Sequence, residues 1–238
     1  MRTALIAPRL VRLVLSGSQL GAFEDEAGRH QAVVSTGFDD VVLLFFPRLG
    51  SERIALPQVS ADGGFERPLD TEVIFREYTV RRLDATGLVV DVVLHDAGVA
   101  SDWVRRAEPG TSIGVVGPRV SRALPSIPRI LAIGDSTALP ALSRLGESLP
   151  VEVEGDIVVI DGGPGLEIPL FAPTGVNVVR AHESVDACSV LSGLGLDATR
   201  TYAWLAGEAG LVTSLRSFLL SERGFDKDHV QFTGYWRN

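Results

Sequence analysis

Cysteine is nearly absent from this 238-residue chain, which has only Cys188. One thiol can neither hold an iron–sulfur cluster nor close an intrachain disulfide, and Cys188 reads as a small buried residue. Excess positive charge is missing too: 22 Lys and Arg stand against 30 Asp and Glu, a formal net charge of −8. That balance argues against nucleic acid as the main partner, although a local basic pocket is compatible with it. Long apolar runs are lacking, so no membrane span and no membrane partner is expected. The opening "MRTALIAPRLVRLVLSGS" is interrupted by Arg and broken by Pro8, a poor signal peptide. A cytoplasmic protein is the default reading. The four histidines are scattered, so no protein metal site is implied. There is no GxGxxG, no internal repeat and no low-complexity segment, so any dinucleotide here is held by another loop.

What is present is apolar material in two different patterns. Apolar residues make up 45% of the chain, ample for packed cores. The first half reads as β. "LVRLVLSG", "DVVLLFF", "EVIFREYTVRRLD", "LVVDVVLHD" and "TSIGVVGPR" are strand-like, and the third and fourth form a hairpin across "ATG". "AFEDEAGRHQ" reads as a loop, and "RLGSERIALPQVSADGGFERPLDT" as a long polar connection. Few helical patterns interrupt these strands, which predicts a small antiparallel barrel. The character changes at "ALPSIP", residues 123–128, taken as a linker between domains 1–123 and 124–238. Beyond it, strands and helices alternate: "RILAIGD", helix "STALPALSRLGESL", "VEGDIVVID", "VNVVRAH", helix "ESVDACSVLSGL", "TYAWLAGE", helix "GLVTSLRSFLLSERG" ending at Gly224, and "DHVQFTGYW". Ser136 or Thr137 is expected to cap the first of these helices. This alternation predicts a doubly wound parallel sheet.

In "FREYTVRRLD", Arg76 and Tyr78 lie two apart, so on a pleated strand they share a face, and Thr79 turns to the other. A guanidinium suits phosphate oxygens, and a phenol ring can stack on a flat heteroaromatic. The same triplet also fits a solvated strand. In "DVVLHDAGVASDWVRRAEPG", Asp91, Val93 and His95 are expected on one strand face. A helix begins near Ala100, with Ser101 as its N-cap, and the free N–H groups of a helix start can receive an anion. A capped surface helix beside a lone strand histidine is the other reading. "IGDSTALP" and "LAGEAG" would sit at the carboxyl ends of parallel strands, where such sheets bind ligands.

The spaced set "REYTVRR", "DVVLH", "GVASDWVRRAEPG", "GVVGPR", "IGDSTALPAL", "WLAGEAG" and "GYWRN" resembles the siderophore-interacting proteins. These are FAD-dependent ferric-siderophore reductases of the ferredoxin-reductase-like superfamily. The resemblance covers nearly the whole chain, and "GDSTALPAL" with the terminal "GYWR" weighs most. It implies an antiparallel FAD-binding β-barrel followed by an NAD(P)H-binding α/β domain. By the resemblance, Arg76 falls near the FAD phosphates, Tyr78 on the isoalloxazine, Thr79 near its reactive edge and His95 at the flavin site. Ala100 and Ser101 fall where the pyrophosphate is received, beside Asp91 on the neighbouring strand. Asp135 and Thr137 fall where the second domain meets the flavin, Glu208 on the nicotinamide side, and Tyr235 and Trp236 near the flavin and substrate pocket.

The chain departs from the family pattern in four places. Val99 stands for a Pro in the "GVAS" turn, and Ser136 replaces a carboxylate. Val42 stands about where a basic strand residue is common, leaving Arg48, Arg119 and Arg237 as candidate substrate cations. "VVRAHES" offers Arg180 and His182 but Glu183, so the choice between NADH and NADPH stays open. The implied reaction takes electrons from NAD(P)H through flavin to ferric iron in a siderophore and releases Fe(II), with no side chain acting as acid or base. A flavin-binding siderophore carrier without turnover, or a flavin oxidoreductase with another acceptor, are the alternatives. A monomer is expected.

Overall fold

The structure, a computed structural model, describes residues 1–25, 28–48, 50–51, 53–59, 65–66, 72–96, 98–119, 124–161, 165–182, 185 and 187–237, with backbone alone at 58, 59, 65 and 66. Chain contacts divide it into two compact units, Met1–Arg122 and Ala123–Asn238.

The N-terminal unit contains β1 (Arg2–Ala7), β2 (Leu10–Leu15), β3 (Phe23–Asp25), β4 (Gly28–His30), β5 (Val41–Phe46), β6 (Gln58–Val59), β7 (Phe65–Glu66), β8 (Ile74–Asp84), β9 (Gly87–Val93), α1 (Val99–Arg106) and β10 (Gly114–Val116). Six of the strands form one antiparallel sheet in the order β1-β2-β9-β8-β5-β10. The sheet curls on itself: the Gly110 N–H, shortly before β10, donates to the Met1 carbonyl at 3.0 Å, beside the start of β1. This barrel-like sheet matches the antiparallel expectation. β9 lies inside the order and every one of its residues is buried, which is why "GLVVDVV" shows no alternation. Its one charge, Asp91, is met by the Arg12 guanidinium at 2.7 Å.

Leu13, Val42, Leu44, Phe46, Val80, Val90 and Val92 fill the interior. Helix α1 adds Ala100, Trp103 and Val104 to that cluster. Trp103 meets Phe46 edge-on, with ring centroids 5.4 Å apart. Such a pair contributes about 0.5–1.5 kcal/mol beyond its buried area.

Two expectations for this half are corrected. The connection "RLGSERIALPQVSADGGFERPLDT" contains the antiparallel pair β6–β7. "AFEDEAGRHQ" contains the hairpin β3–β4, held by Phe23 stacked on His30 at 4.3 Å and by the His30–Asp25 contact at 2.8 Å. Its polarity hides a pair too short to bury a face. β1 is almost wholly exposed, so its edge position leaves little pattern to read. Ala123, at the start of the expected linker, lies outside the described residues.

The C-terminal unit contains β11 (Arg129–Asp135), α2 (Leu139–Ser148), β12 (Glu154–Asp161), β13 (Val176–His182), α3 (Ala187–Ser192), β14 (Thr201–Glu208), α4 (Ala209–Ser221) and β15 (Val230–Trp236). The strands are all parallel, in the order β13-β12-β11-β14-β15. Leu131, Ile133, Val158, Ile160, Ala203 and Leu205 pack with α3 and α4 on one face. On the other face the chain entering α2 comes so close that a Cβ on Gly134 would stand 2.4 Å from the Ala138 Cβ, and 3.4 Å from Leu142 in the helix itself. Helices thus cover both faces, as a doubly wound sheet requires. Gly224, where the last helix is expected to end, lies beyond it: α4 stops at Ser221, and Gly224 takes φ 70° in the turn that buries Phe225. Among the described residues no helix is long and apolar enough to cross a membrane.

Candidate functional site

In the N-terminal unit, β5 pairs with β8 so that Leu44 lies opposite Arg76 and Val42 opposite Tyr78. Directly opposed residues share a face, so Arg76 and Tyr78 do stand on one side of β8. The Arg76 guanidinium is exposed and donates from Nη1 to the Phe75 carbonyl at 2.7 Å. Tyr78 is half-buried against the interior cluster. That burial pushes its phenol up to about 12, with the Arg76 charge opposing the shift. Val42 is fully buried beneath Tyr78, so a cation at that position would face apolar neighbours, not an approaching chelate. Thr79 is buried on the opposite face, across from Val41.

β8 carries a bulge between Val80 and Arg82, where it meets β9. The extra residue, Arg81, approaches Asp91 at 3.9 Å, and the Arg12 Nε and Nη2 each reach an Asp91 oxygen at 2.7 Å. Asp91 therefore ties β2 and β8 to β9 on the face opposite the interior cluster of Val90 and Val92. Its arginine partners sit 79 and 10 residues away in the chain, Arg12 outside any motif and Arg81 within "REYTVRR". His95 does not share a strand face with Asp91 and Val93, because β9 ends at Val93 and His95 lies exposed just past it. Its N–H donates to the Ser101 hydroxyl at 3.0 Å, and its carbonyl accepts from Arg105.

That bond corrects the capping expectation. Helix α1 starts at Val99, and Gly98, with φ 137°, is its N-cap. Ser101 sits a turn inside, buried, with its hydroxyl turned to the chain that enters the helix. The first helical hydrogen bond is Asp102 N–H to the Gly98 carbonyl at 2.9 Å, which leaves the N–H groups of Val99, Ala100 and Ser101 outside the helical ladder. A cavity of about 880 Å³ runs along one side of the helix and past its C-terminal end, walled by Val99, Trp103, Arg106, Thr111, Arg48 and Ile74, among others. Arg48, expected near a chelate, lines this cavity beside α1, and it pairs with Glu72 at 3.3 Å. Arg119 pairs with Glu77 at 2.9 Å. A helix-start donor set, an exposed arginine and a half-buried phenol ring are the groups that a pyrophosphate joined to a flat ring system needs. Arg76, Tyr78, Ala100 and Ser101 are not among the residues that wall the cavity.

In the C-terminal unit the site is built round one carboxylate. Asp135 ends β11 and is 8% exposed. Its Oδ1 accepts from the Thr137 N–H at 2.8 Å and from the Thr137 hydroxyl. Its Oδ2 accepts from the Glu208 N–H at 2.7 Å and from the Trp236 indole Nε1–H at 2.8 Å. Asp135 therefore caps the 3-10 turn Ser136–Ala138, a role expected of Ser136 or Thr137. Helix α2 begins later, at Leu139, with Pro140 in its first turn, where a missing N–H costs nothing. Gly207 allows the close approach: at φ 143°, a Cβ there would lie 2.5 Å from the Asp135 Oδ2.

Glu208 caps α4, its carboxylate accepting from the Leu211 N–H at 2.9 Å. Asp135, Thr137, Glu208 and Trp236 thus meet at the carboxyl ends of β11, β14 and β15. The strand order reverses between β11 and β14, the place where open parallel sheets bind ligands. Tyr235 lies in the register shift between Gly207 and Glu208, half-buried. Arg237 follows β15, exposed, with no ion-pair partner among the described residues. Glu183 lies outside the described residues. The Asp135–Trp236 bond spans 101 residues and had no local signal.

Comparison with known proteins agrees with this division. The family model for the siderophore-interacting FAD-binding domain matches residues 1–122, and that for siderophore-interacting protein matches residues 127–238. An uncharacterized protein of Mycobacterium tuberculosis is 31% identical, covering 99% of this chain and 87% of its own length. An NADPH-dependent ferric-chelate reductase of Escherichia coli is 28% identical, covering 99% of this chain and 90% of its own. The crystal structure of a siderophore utilization protein from T. fusca superposes with a TM-score of 0.86 at 31% identity, covering 100% of this chain and 90% of that one. The fold is the ferredoxin-reductase-like one, and FAD is the cofactor that the N-terminal unit is built to hold.

Proposed function

The chain belongs to the siderophore-interacting protein family, and from that premise we propose that it is an FAD-dependent reductase of ferric siderophores with NAD(P)H as donor. The observation that carries the reading is the pairing, in one chain, of an FAD-binding domain with a parallel sheet whose switch-point residues are drawn together by Asp135. The full-length likeness to a protein named as a ferric-chelate reductase supports the reaction class.

In this reading the first-turn N–H groups of α1 and the Arg76 guanidinium hold the FAD phosphates, and Tyr78 supports the ring system. Bound FAD supplies the step between a two-electron donor and a one-electron acceptor. The remaining work of the chain is placement. Asp135 fixes the Trp236 indole and the start of α4, which shapes the crevice for the nicotinamide dinucleotide. Iron enters as cargo: ferric iron is held by hard oxygen ligands, and ferrous iron is held by them much less tightly, so reduction frees it. One NAD(P)H carries two electrons and so reduces two ferric chelates to two Fe(II), giving NAD(P)+ and a proton. No side chain need act as acid or base.

The substrate cations differ in readiness. Arg48 and Arg119 each pair with a carboxylate, whereas Arg237 has none among the described residues, so Arg237 is the stronger candidate for an anionic chelate. The test is anaerobic. The purified yellow protein, mixed with NADH or NADPH, loses its flavin absorbance and regains it when a ferric siderophore is added. A yellow protein that neither donor bleaches would instead be a flavin-binding carrier.

A further inference from the structure

The sheet's other half holds a charged pair at the end where the dinucleotide's ribose would lie. Asp161 ends β12, and Arg180 lies on β13, two residues before its last residue, His182. The register sets Asp161 opposite His182 and Val159 opposite Arg180, so the three side chains share a face. It is the face of α2, because Val158, Ile160, Val179 and Ala181 turn to the α3 and α4 side. Asp161 Oδ2 lies 3.1 Å from Arg180 Nη1, and Arg180 Nη2 donates to the Ile168 carbonyl at 2.6 Å. The side chains are 16% and 30% exposed.

Arg180 is therefore held from two sides, and its charge is balanced. Apart from Arg180 and His182, β13, β12 and β11 carry one cation, Arg129. It lies at the opposite end of the sheet, paired with Glu154 at 3.2 Å. In doubly wound sheets with a Gly-rich loop, an acidic side chain about 20 residues on bonds a free ribose 2′-hydroxyl, and an arginine accommodates a 2′-phosphate. This chain has no such loop, but the same electrostatics act on a ribose at the end of β12. Here a 2′-phosphate would meet a carboxylate and an arginine already occupied. The first strand–helix–strand unit, β11-α2-β12, places Asp161 at that position.

We propose that the Asp161–Arg180 pair is a ribose selector that favours NADH over NADPH as the electron donor. The proposal rests on the dinucleotide reading of the C-terminal unit, and it departs from the donor named for the E. coli relative. Asp161 acts on the ribose and Arg180 holds Asp161 in place.

Calorimetric titration of the FAD-loaded protein with 5′-AMP and with 2′,5′-ADP tests it, alongside flavin bleaching by NADH and NADPH. The expected result is that 5′-AMP binds about tenfold or more tightly than 2′,5′-ADP, and that NADH bleaches at a lower half-saturating concentration. Asp161→Asn should narrow that ratio about tenfold, since it removes the repelling charge and frees Arg180. Arg180→Gln in the Asp161→Asn background should abolish the gain for 2′,5′-ADP. Equal or tighter binding of 2′,5′-ADP by the parent protein overturns the proposal without recourse to any variant, as does an unchanged ratio in Asp161→Asn, or no binding of either nucleotide. If neither donor bleaches the flavin, the reductase reading falls, while the two nucleotide affinities still decide the selector.

Discussion

Four hydrogen bonds end on the carboxylate of Asp135. Replacing it by Ala strands the half-buried Glu208 backbone N–H and leaves the exposed Trp236 indole N–H to water. A half-buried donor left without its acceptor costs on the order of 1–3 kcal/mol, so Asp135→Ala should lose about 1–3 kcal/mol in denaturant unfolding and change the environment of Trp236 fluorescence. Tyr78 gives a second test. Its folded pKa is about 12 against an ordinary 10.0. Below pH 10 both states keep the proton and the contribution is complete. Between 10 and 12 only the folded state keeps it, so stability falls as pH rises. The fall should be about 2–3 kcal/mol, and unfolding midpoints across that window should show it in the parent and not in Tyr78→Phe. The motif "IGDSTALP" singles out Asp135, but not its bond to Trp236, because nothing local marks a partner 101 residues away. For the same reason Asp91 reads as a candidate contact to a cofactor, while its oxygens are taken up by Arg12.

At the level of elements, the strands and helices with strong periodicity are legible, and their ends are not. "TYAWLAGE" and "GLVTSLRSFLLSERG" become β14 and α4, yet α4 stops three residues before Gly224. The start of α1 is misread for a physical reason. Ser is a favoured N-cap, and the sequence offers Ser101, but Gly98 reaches φ 137° without strain and opens the helix earlier. Ser101 is then free to hold His95. The short hairpin β3–β4 is silent because it buries no face. These details bear on cofactor binding, since the early start leaves the N–H groups of Val99 and Ala100 outside the helical ladder. Gly98→Ala would force a side chain into a backbone region that L residues avoid. The expected cost is about 1–2 kcal/mol in stability, with FAD affinity weakened about tenfold in a fluorescence titration of the apoprotein.

Over the whole molecule, the chain joins two units with separate cores, and it carries an excess of negative charge. The pattern changes from antiparallel to alternating near residues 123–128, and chain contacts divide the units at Arg122 and Ala123. The switch-point location of Asp135 and Glu208 is legible as well, because parallel strands end there. The substrate surface is the least legible part, since arginines on loops carry no periodic signal, and pairing decides their availability. At net charge −8, encounter with an anionic ferric chelate depends on local cations. Arg237→Ala should raise the half-saturating concentration of such chelates about three- to tenfold, with the effect shrinking as salt is added. Arg119→Ala should do so less, because Glu77 already balances that charge. Neutral chelates and the rate of flavin bleaching by donor should change little in both, which steady-state and rapid-mixing kinetics would show. The measurement that bears most directly on the central claim is the electron balance of a full turnover under anaerobic conditions, with a ferrous trap present. The account predicts two trapped Fe(II) for each NADH or NADPH consumed, and no consumption in protein stripped of FAD. Donor oxidation without Fe(II), or ferric reduction at an unchanged rate in the stripped protein, would contradict it.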